Sequence, residues 1–97
     1  MEMFIQYLQA ILVEADKAIN NYNSIWRREY EDIIKQIIEP EITKLLIYAK
    51  KGEVYFKNGK KQRMLESTYS IIDNISSLGK TPLGNKILEL QEIYNKL

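Results

Sequence analysis

Gly79-Lys80-Thr81 spells the end of a phosphate-binding loop, so nucleotide binding is the first chemistry this chain invites. Such a loop needs G-x-x-x-x-G-K-[ST] between a strand and a helix, so that successive backbone N–H groups wrap the phosphate oxygens. Counting back from Gly79, the first glycine should fall at position 74, which is Asn74. The residues ahead of it, Leu65 to Leu78, repeat their apolar side chains with helical spacing rather than strand alternation. A helix–helix corner accounts for every letter instead. Gly79 is expected to end one helix in a left-handed conformation. Thr81 then caps the next helix, and Pro82 takes its first position, where a missing N–H costs nothing.

Other chemistries are thinly supplied. The 97 residues include no histidine and no cysteine, which removes the commonest neutral-pH base, the commonest metal ligand and all thiol chemistry. Glu29, Glu31, Asp32 and Glu39 do not recur at the Glu-x-x-His spacing of di-metal bundles. No catalytic, cofactor-binding or metal residues are assigned. What stands out is charge: residues 1–49 carry a net −3, residues 50–63 a net +5 and the remainder −1. Tyr48 stands just ahead of the basic stretch, which holds Lys50, Lys51, Lys57, Lys60, Lys61 and Arg63, interleaved with Tyr55 and Phe56. Cations near a helix C-terminus complement its dipole, but Lys60 and Lys61 precede the next helix, where the dipole disfavours them. That mismatch makes the six basic residues, with Tyr55 and Phe56, the candidate partner-binding set. A protein surface, anionic lipid or nucleic-acid phosphates would each suit them.

The elements that must position this set read as helices. Phe4, Leu8, Ile11, Ala15, Ala18 and Tyr22 step by four and three, flanked by Ile5, Leu12 and Ile19. Asparagines near position 20 and Asn23 or Ser24 offer an end and a new start. A second run places Trp26, Tyr30, Ile33 and Ile37 on one line, with Ile34 and Ile38 beside it. After Pro40 the line resumes one residue out of phase as Ile38, Ile42, Leu45 and Ala49. Proline inside a helix removes a bond and crowds the carbonyl four residues back, so this helix is expected to kink or break near Pro40. Gly52 is its stop. Val54-Tyr55-Phe56 before Asn58-Gly59 resembles a hairpin signal, but "KKQRML" lacks alternation, so an ordered loop plugging an open end is expected. Met64, Thr68, Ile71, Ile75 and Leu78, with Leu65 and Ile72 alongside, form a third stripe. Leu83, Ile87, Leu90, Tyr94 and Leu97 form a fourth. Four such stripes with short connections predict one all-α domain over residues 1–97, an antiparallel four-helix bundle.

The stretch Ile42 to Lys80, "ITKLLIYAKKGEVYFKNGKKQRMLESTYSIIDNISSLGK", resembles the immunity proteins of class II (pediocin-like) bacteriocins. In those, an apolar helix ends in a short aromatic-containing loop and another helix follows with a small-residue stop. The resemblance implies a four-helix bundle in the cytoplasm, associating with the membrane. There it would protect its producer by binding a sugar-transporter receptor occupied by bacteriocin. The function expected is thus non-enzymatic protein binding. The alternative is a small regulatory or nucleic-acid-associated helical protein using the basic loop 50–63. A third reading is a homodimer burying Tyr7, Ile47 and Ile93. No apolar run approaches the ~18 residues of a membrane span, and Glu14 and Asp16 close the first apolar segment, so no signal peptide is expected.

Overall fold

The computed structural model describes residues 2–21, 27–55, 64–74 and 76–97, which are helical throughout their regular parts and include no strand. Helix α1 (Glu2–Asn21) is followed by α2 (Arg27–Ile33), a π turn (Ile34–Ile38) and α3 (Glu39–Lys50). A one-turn helix α4 (Glu66–Tyr69) runs into a second π turn (Ser70–Asn74). A 3₁₀ segment (Ser76–Lys80) then leads to α5 (Pro82–Asn95).

The stripe on α1 buries Phe4, Leu8, Ile11, Ala15 and Ala18 as its spacing requires, with Ile5, Leu12 and Ile19 packed at the margin. Helix α1 lies against both α3 and α5, and α4 lies against α5. The core they enclose also holds Tyr30, Ile34, Ile38, Ile42 and Leu45, with Leu83, Ile87, Leu90 and Tyr94 opposite. Burying each of the larger side chains is worth about 1.5–3 kcal/mol, set against comparable ordering costs. The assembled chain measures 39 × 23 × 19 Å.

Between Tyr30 and Ile42 the buried residues advance by four three times running, through Ile34 and Ile38. Each such step rotates a stripe by about 40° on a regular α-helix, and three would carry it about 120° off the core. The π turn absorbs that drift. It is closed by the Glu39 N–H, which donates to the Ile34 carbonyl five residues back. Pro40 follows within the first turn of α3, so the wider turn lies where its ring would crowd the preceding carbonyls. The expected kink or break near Pro40 is therefore an insertion inside a continuing helix. Ile34 and Ile38 face the core, while Ile33 and Ile37 are half-buried.

The corner before α5 differs from expectation in one respect. Thr81 caps α5 as its type suggests, its Oγ1 accepting from Gly84 N–H at 3.1 Å, with Pro82 at the start of the helix. Its own hydroxyl donates to the Leu78 carbonyl at 2.6 Å. Gly79, however, is not left-handed: among the described glycines only Gly52 has a positive φ, +79°. Gly79 and Gly84 are glycines because the corner is tight. A Cβ on Gly84 would lie 1.9 Å from the Leu78 carbonyl oxygen and 2.7 Å from Gly79 Cα. One on Gly79 would meet Ile71 Cγ2 at 3.1 Å.

The third stripe also shifts. Leu65 is fully buried although it precedes α4 in an extended conformation, whereas Met64 and Ile72 are exposed. Thr68, Ile71 and Leu78 are buried as expected, and Leu97 at the end of the fourth stripe is exposed. The expectations for Tyr22, the caps near residues 23 and 24, Trp26 and Ile75 lie outside the described residues, as does most of the loop beyond Tyr55.

Candidate partner-binding surface

The surface is built from the end of α3. Gly52 in the left-handed region lets the chain reverse: its N–H donates to the Ala49 carbonyl at 2.9 Å, and the Glu53 N–H donates to the Tyr48 carbonyl at 3.0 Å. This paired arrangement satisfies carbonyls that a helix end leaves open. The reversal brings Tyr55 back alongside α3, where its ring packs against that of Tyr48, centroids 5.0 Å apart and planes tilted by 55°. Val54 and Tyr55 are half-buried against the core margin. The Lys44 ammonium sits 5.1 Å from the Tyr55 ring centre and the Lys51 ammonium 5.8 Å from that of Tyr48. An aromatic pair is thus flanked by two cations attracted to its π faces.

Helix α4 is held beside this pair by borrowed side chains. Its N-terminal position, Leu65, offers no side-chain cap. The Glu41 carboxylate of α3 supplies one: it accepts the backbone N–H groups of Glu66 at 2.9 Å and Ser67 at 2.8 Å, and the Ser67 hydroxyl at 2.6 Å. Gln91 of α5 accepts the Leu65 N–H at 2.8 Å through its side-chain oxygen, while its amide donates to Asn95 at 2.8 Å. Three orphan donors at a helix start are thereby satisfied from two other helices. The negative carboxylate also lies at the favourable end of the α4 dipole.

Between these parts runs a string of hollows. A cleft of about 230 Å³ is lined by Ile37, Pro40, Lys44, Tyr55 and Glu66 among others. It shares Pro40 and Lys44 with a shallower hollow of about 430 Å³ that reaches Thr43 and Ile47. On its other side it shares Ile37 and Glu66 with one of about 350 Å³ that reaches Met64 and Tyr69. The shared linings make one furrow, centred where the π turn meets Pro40. Ile47 is 51% exposed on one side of it and Tyr69 is 57% exposed on the other. The Tyr69 phenol is raised above the usual tyrosine range, chiefly because it donates to Asp73.

Of the residues proposed from sequence, Lys50 and Lys51 are exposed at the end of α3 and Tyr55 lines the furrow. Phe56, Lys57, Lys60, Lys61 and Arg63 lie outside the described residues. Of the three side chains considered for a homodimer, Ile47 is exposed, while Tyr7 and Ile93 are half-buried against the core. Tyr48, noted with the basic stretch but left out of the candidate set, proves to be the ring that Tyr55 packs on. Sequence reasoning missed Lys44, which precedes the basic stretch, and Glu41, whose partners lie 25 and 26 residues further on. One signal was available for Glu41: Leu65-Glu66-Ser67 starts a helix without a Ser, Thr, Asp or Asn at the capping position.

No group of three or more potential metal ligands is gathered among the described residues, and none of their helices is long and apolar enough to cross a membrane. No protein-family model, curated protein or solved structure matches the chain.

Proposed function

We propose that this all-helical chain is a non-enzymatic protein-binding module of the class II bacteriocin immunity type, its helices arranged as an antiparallel four-helix bundle. The furrow beside Pro40 is its docking surface. One observation carries the reading: exposed Ile47 and Tyr69 border concave surface lined by Ile37 and Pro40, and Tyr55 closes the same cleft. Apolar side chains gathered along a concavity and rimmed by charge are the usual marks of a surface that buries itself against another protein. A producer's immunity protein would act in the cytoplasm, at the inner face of the membrane, on a receptor already holding bacteriocin. In that setting exposed Lys50 and Lys51 face the complex or the lipid around it.

The test is transfer of resistance. Expressed in a strain sensitive to a class II bacteriocin, the protein is expected to raise the lethal concentration of its cognate peptide. The exposed change Ile47→Asp is expected to cancel the protection while far-UV circular dichroism stays unchanged. If gene deletion leaves producer cells fully resistant, the immunity assignment is lost. If Ile47→Asp protects as well as the parent, the furrow is not the docking surface.

A further inference from the structure

The solvent side of the second helical run has a sign. From Lys35 to Lys51 its exposed positions comprise four lysines (35, 44, 50 and 51), Gln36, Thr43, Pro40 and Ile47, and no carboxylate. The two glutamates of the same stretch are placed otherwise. Glu41 is spent on the backbone donors of α4, and Glu39 is half-buried at the margin of the Pro40–Ile47 hollow. Glu53, the next exposed carboxylate, lies beyond the Gly52 reversal. The centre of this face is a shallow hollow with Pro40 and Ile47 in its lining. Lys35 is paired with Glu31 at 3.1 Å, so the cationic side of the face is Lys44, Lys50 and Lys51.

We infer that the occupant of this face is an acidic amphipathic helix of a partner protein, an inference that rests on the protein-binding reading above. Apolar side chains on the partner, three and four residues apart, enter the hollow between Pro40 and Ile47, and its flanking carboxylates meet Lys44, Lys50 and Lys51. The span fits: the sixteen steps from Lys35 to Lys51 cover about 24 Å, a little over four turns of a partner helix. Two of the lysines are already oriented. Lys44 and Lys51 rest on the Tyr55 and Tyr48 rings, so less side-chain freedom is lost when a carboxylate arrives. Complementary charge of this kind speeds encounter and rejects basic partners.

Two other polyanions fit less well. A membrane surface calls for apolar side chains that protrude, whereas here Ile47 is the one exposed large apolar residue between Lys35 and Lys51, beside a hollow. Single-stranded nucleic acid calls for open aromatic faces, but Tyr48 and Tyr55 are packed on each other and overlaid by lysines.

Selection of a displayed library of 16-residue helix-forming peptides against the full chain tests the inference, with binding sites mapped by amide chemical-shift changes. Enriched peptides are expected to carry net negative charge with apolar residues three and four apart, and to shift signals around Pro40, Lys44 and Ile47. Ile47→Asp should weaken them by about tenfold or more, the size of effect seen at buried interface anchors. The triple charge reversal Lys44→Glu, Lys50→Glu, Lys51→Glu should do the same, and a repeat selection on it should enrich basic peptides. Neutral or basic binders on the parent face overturn the acidic-helix inference while leaving the docking surface in place. Binders that map to another face remove both. Tighter binding by this face to phosphatidylserine-containing vesicles or to a 20-nucleotide single strand than to any selected peptide also overturns the inference.

Discussion

At the scale of single residues, the two glycines of the corner before α5 are separable. Gly84→Ala would drive a methyl group into backbone atoms, the Leu78 carbonyl oxygen and Gly79 Cα, which cannot move without opening the corner. A loss of about 3 kcal/mol is expected in urea unfolding, the upper range for overpacking. Gly79→Ala meets only the Cγ2 of Ile71, a side-chain atom able to yield, and should cost about 1 kcal/mol. Equal losses from the two changes would show that the corner is not set by the Gly84 approach. Thr68 presents the opposite case. It is 2% exposed, and its hydroxyl has no hydrogen-bond partner among the described residues. Thr68→Val keeps the shape, removes the unsatisfied group and is expected to raise stability by about 1 kcal/mol. A destabilised valine variant would mean that the hydroxyl is satisfied. Residue types announced the cap at Thr81 and the stop at Gly52, because each depends on its near neighbours. For Gly79 they suggested a left-handed helix end that the structure does not show, and for Gly84 they offered no reason, because the atoms a Cβ would strike become neighbours only once the corner has folded.

At the scale of elements, the π turn has two candidate causes, Pro40 and the surplus residue in the apolar rhythm, and these can be told apart. Deleting one exposed residue of the turn, Gln36, converts the buried steps from Tyr30 to Ala49 into alternating fours and threes, the rhythm of a regular α-helix. Pro40 would then crowd a regular α-helical turn, at a cost of about 3 kcal/mol. The deletion alone is therefore expected to be clearly destabilised, and the deletion combined with Pro40→Ala to recover most of that loss. Pro40→Ala alone should keep the π turn, because the surplus residue remains. Amide hydrogen-bond couplings at Glu39, whose N–H now bonds to Ile34, report which register each variant adopts. If Pro40→Ala by itself moves that bond to the carbonyl four residues back, proline and not phase makes the turn. The one-residue shift was legible in the sequence as two competing isoleucine lines, 33/37 and 34/38. Its resolution was not, since a kink, a break and an inserted residue all shift a stripe alike.

At the scale of the whole molecule, the helical class could be read from the sequence because each stripe is a local pattern. Which helix start borrows a cap from which other helix could not, because Glu41 and Gln91 reach their partners across 25 or more residues. The same holds for the link between the first and last helices. The Tyr7 hydroxyl donates to the Glu89 carboxylate, 82 residues along the chain, and the Lys86 ammonium lies 5.6 Å from the Tyr7 ring centre. Burial above all, and then the hydrogen bond and charge of Glu89, raise the Tyr7 phenol far above its ordinary value of 10.0. The sign of the consequence follows from proton counting. Above pH 10 the unfolded chain has released this proton and the folded chain has not, so folding stability is complete below pH 10 and declines as pH rises further. Urea midpoints at pH 8 and pH 11 are expected to differ for the parent and to differ less for Tyr7→Phe, which has no proton to lose. Tyr69→Phe is the control: its phenol is also raised, chiefly by its bond to Asp73, but that group is exposed and screened, so the alkaline decline should persist. A Tyr7→Phe variant with an undiminished alkaline decline would show that the contact between α1 and α5 does not hold the ends of the fold together in solution.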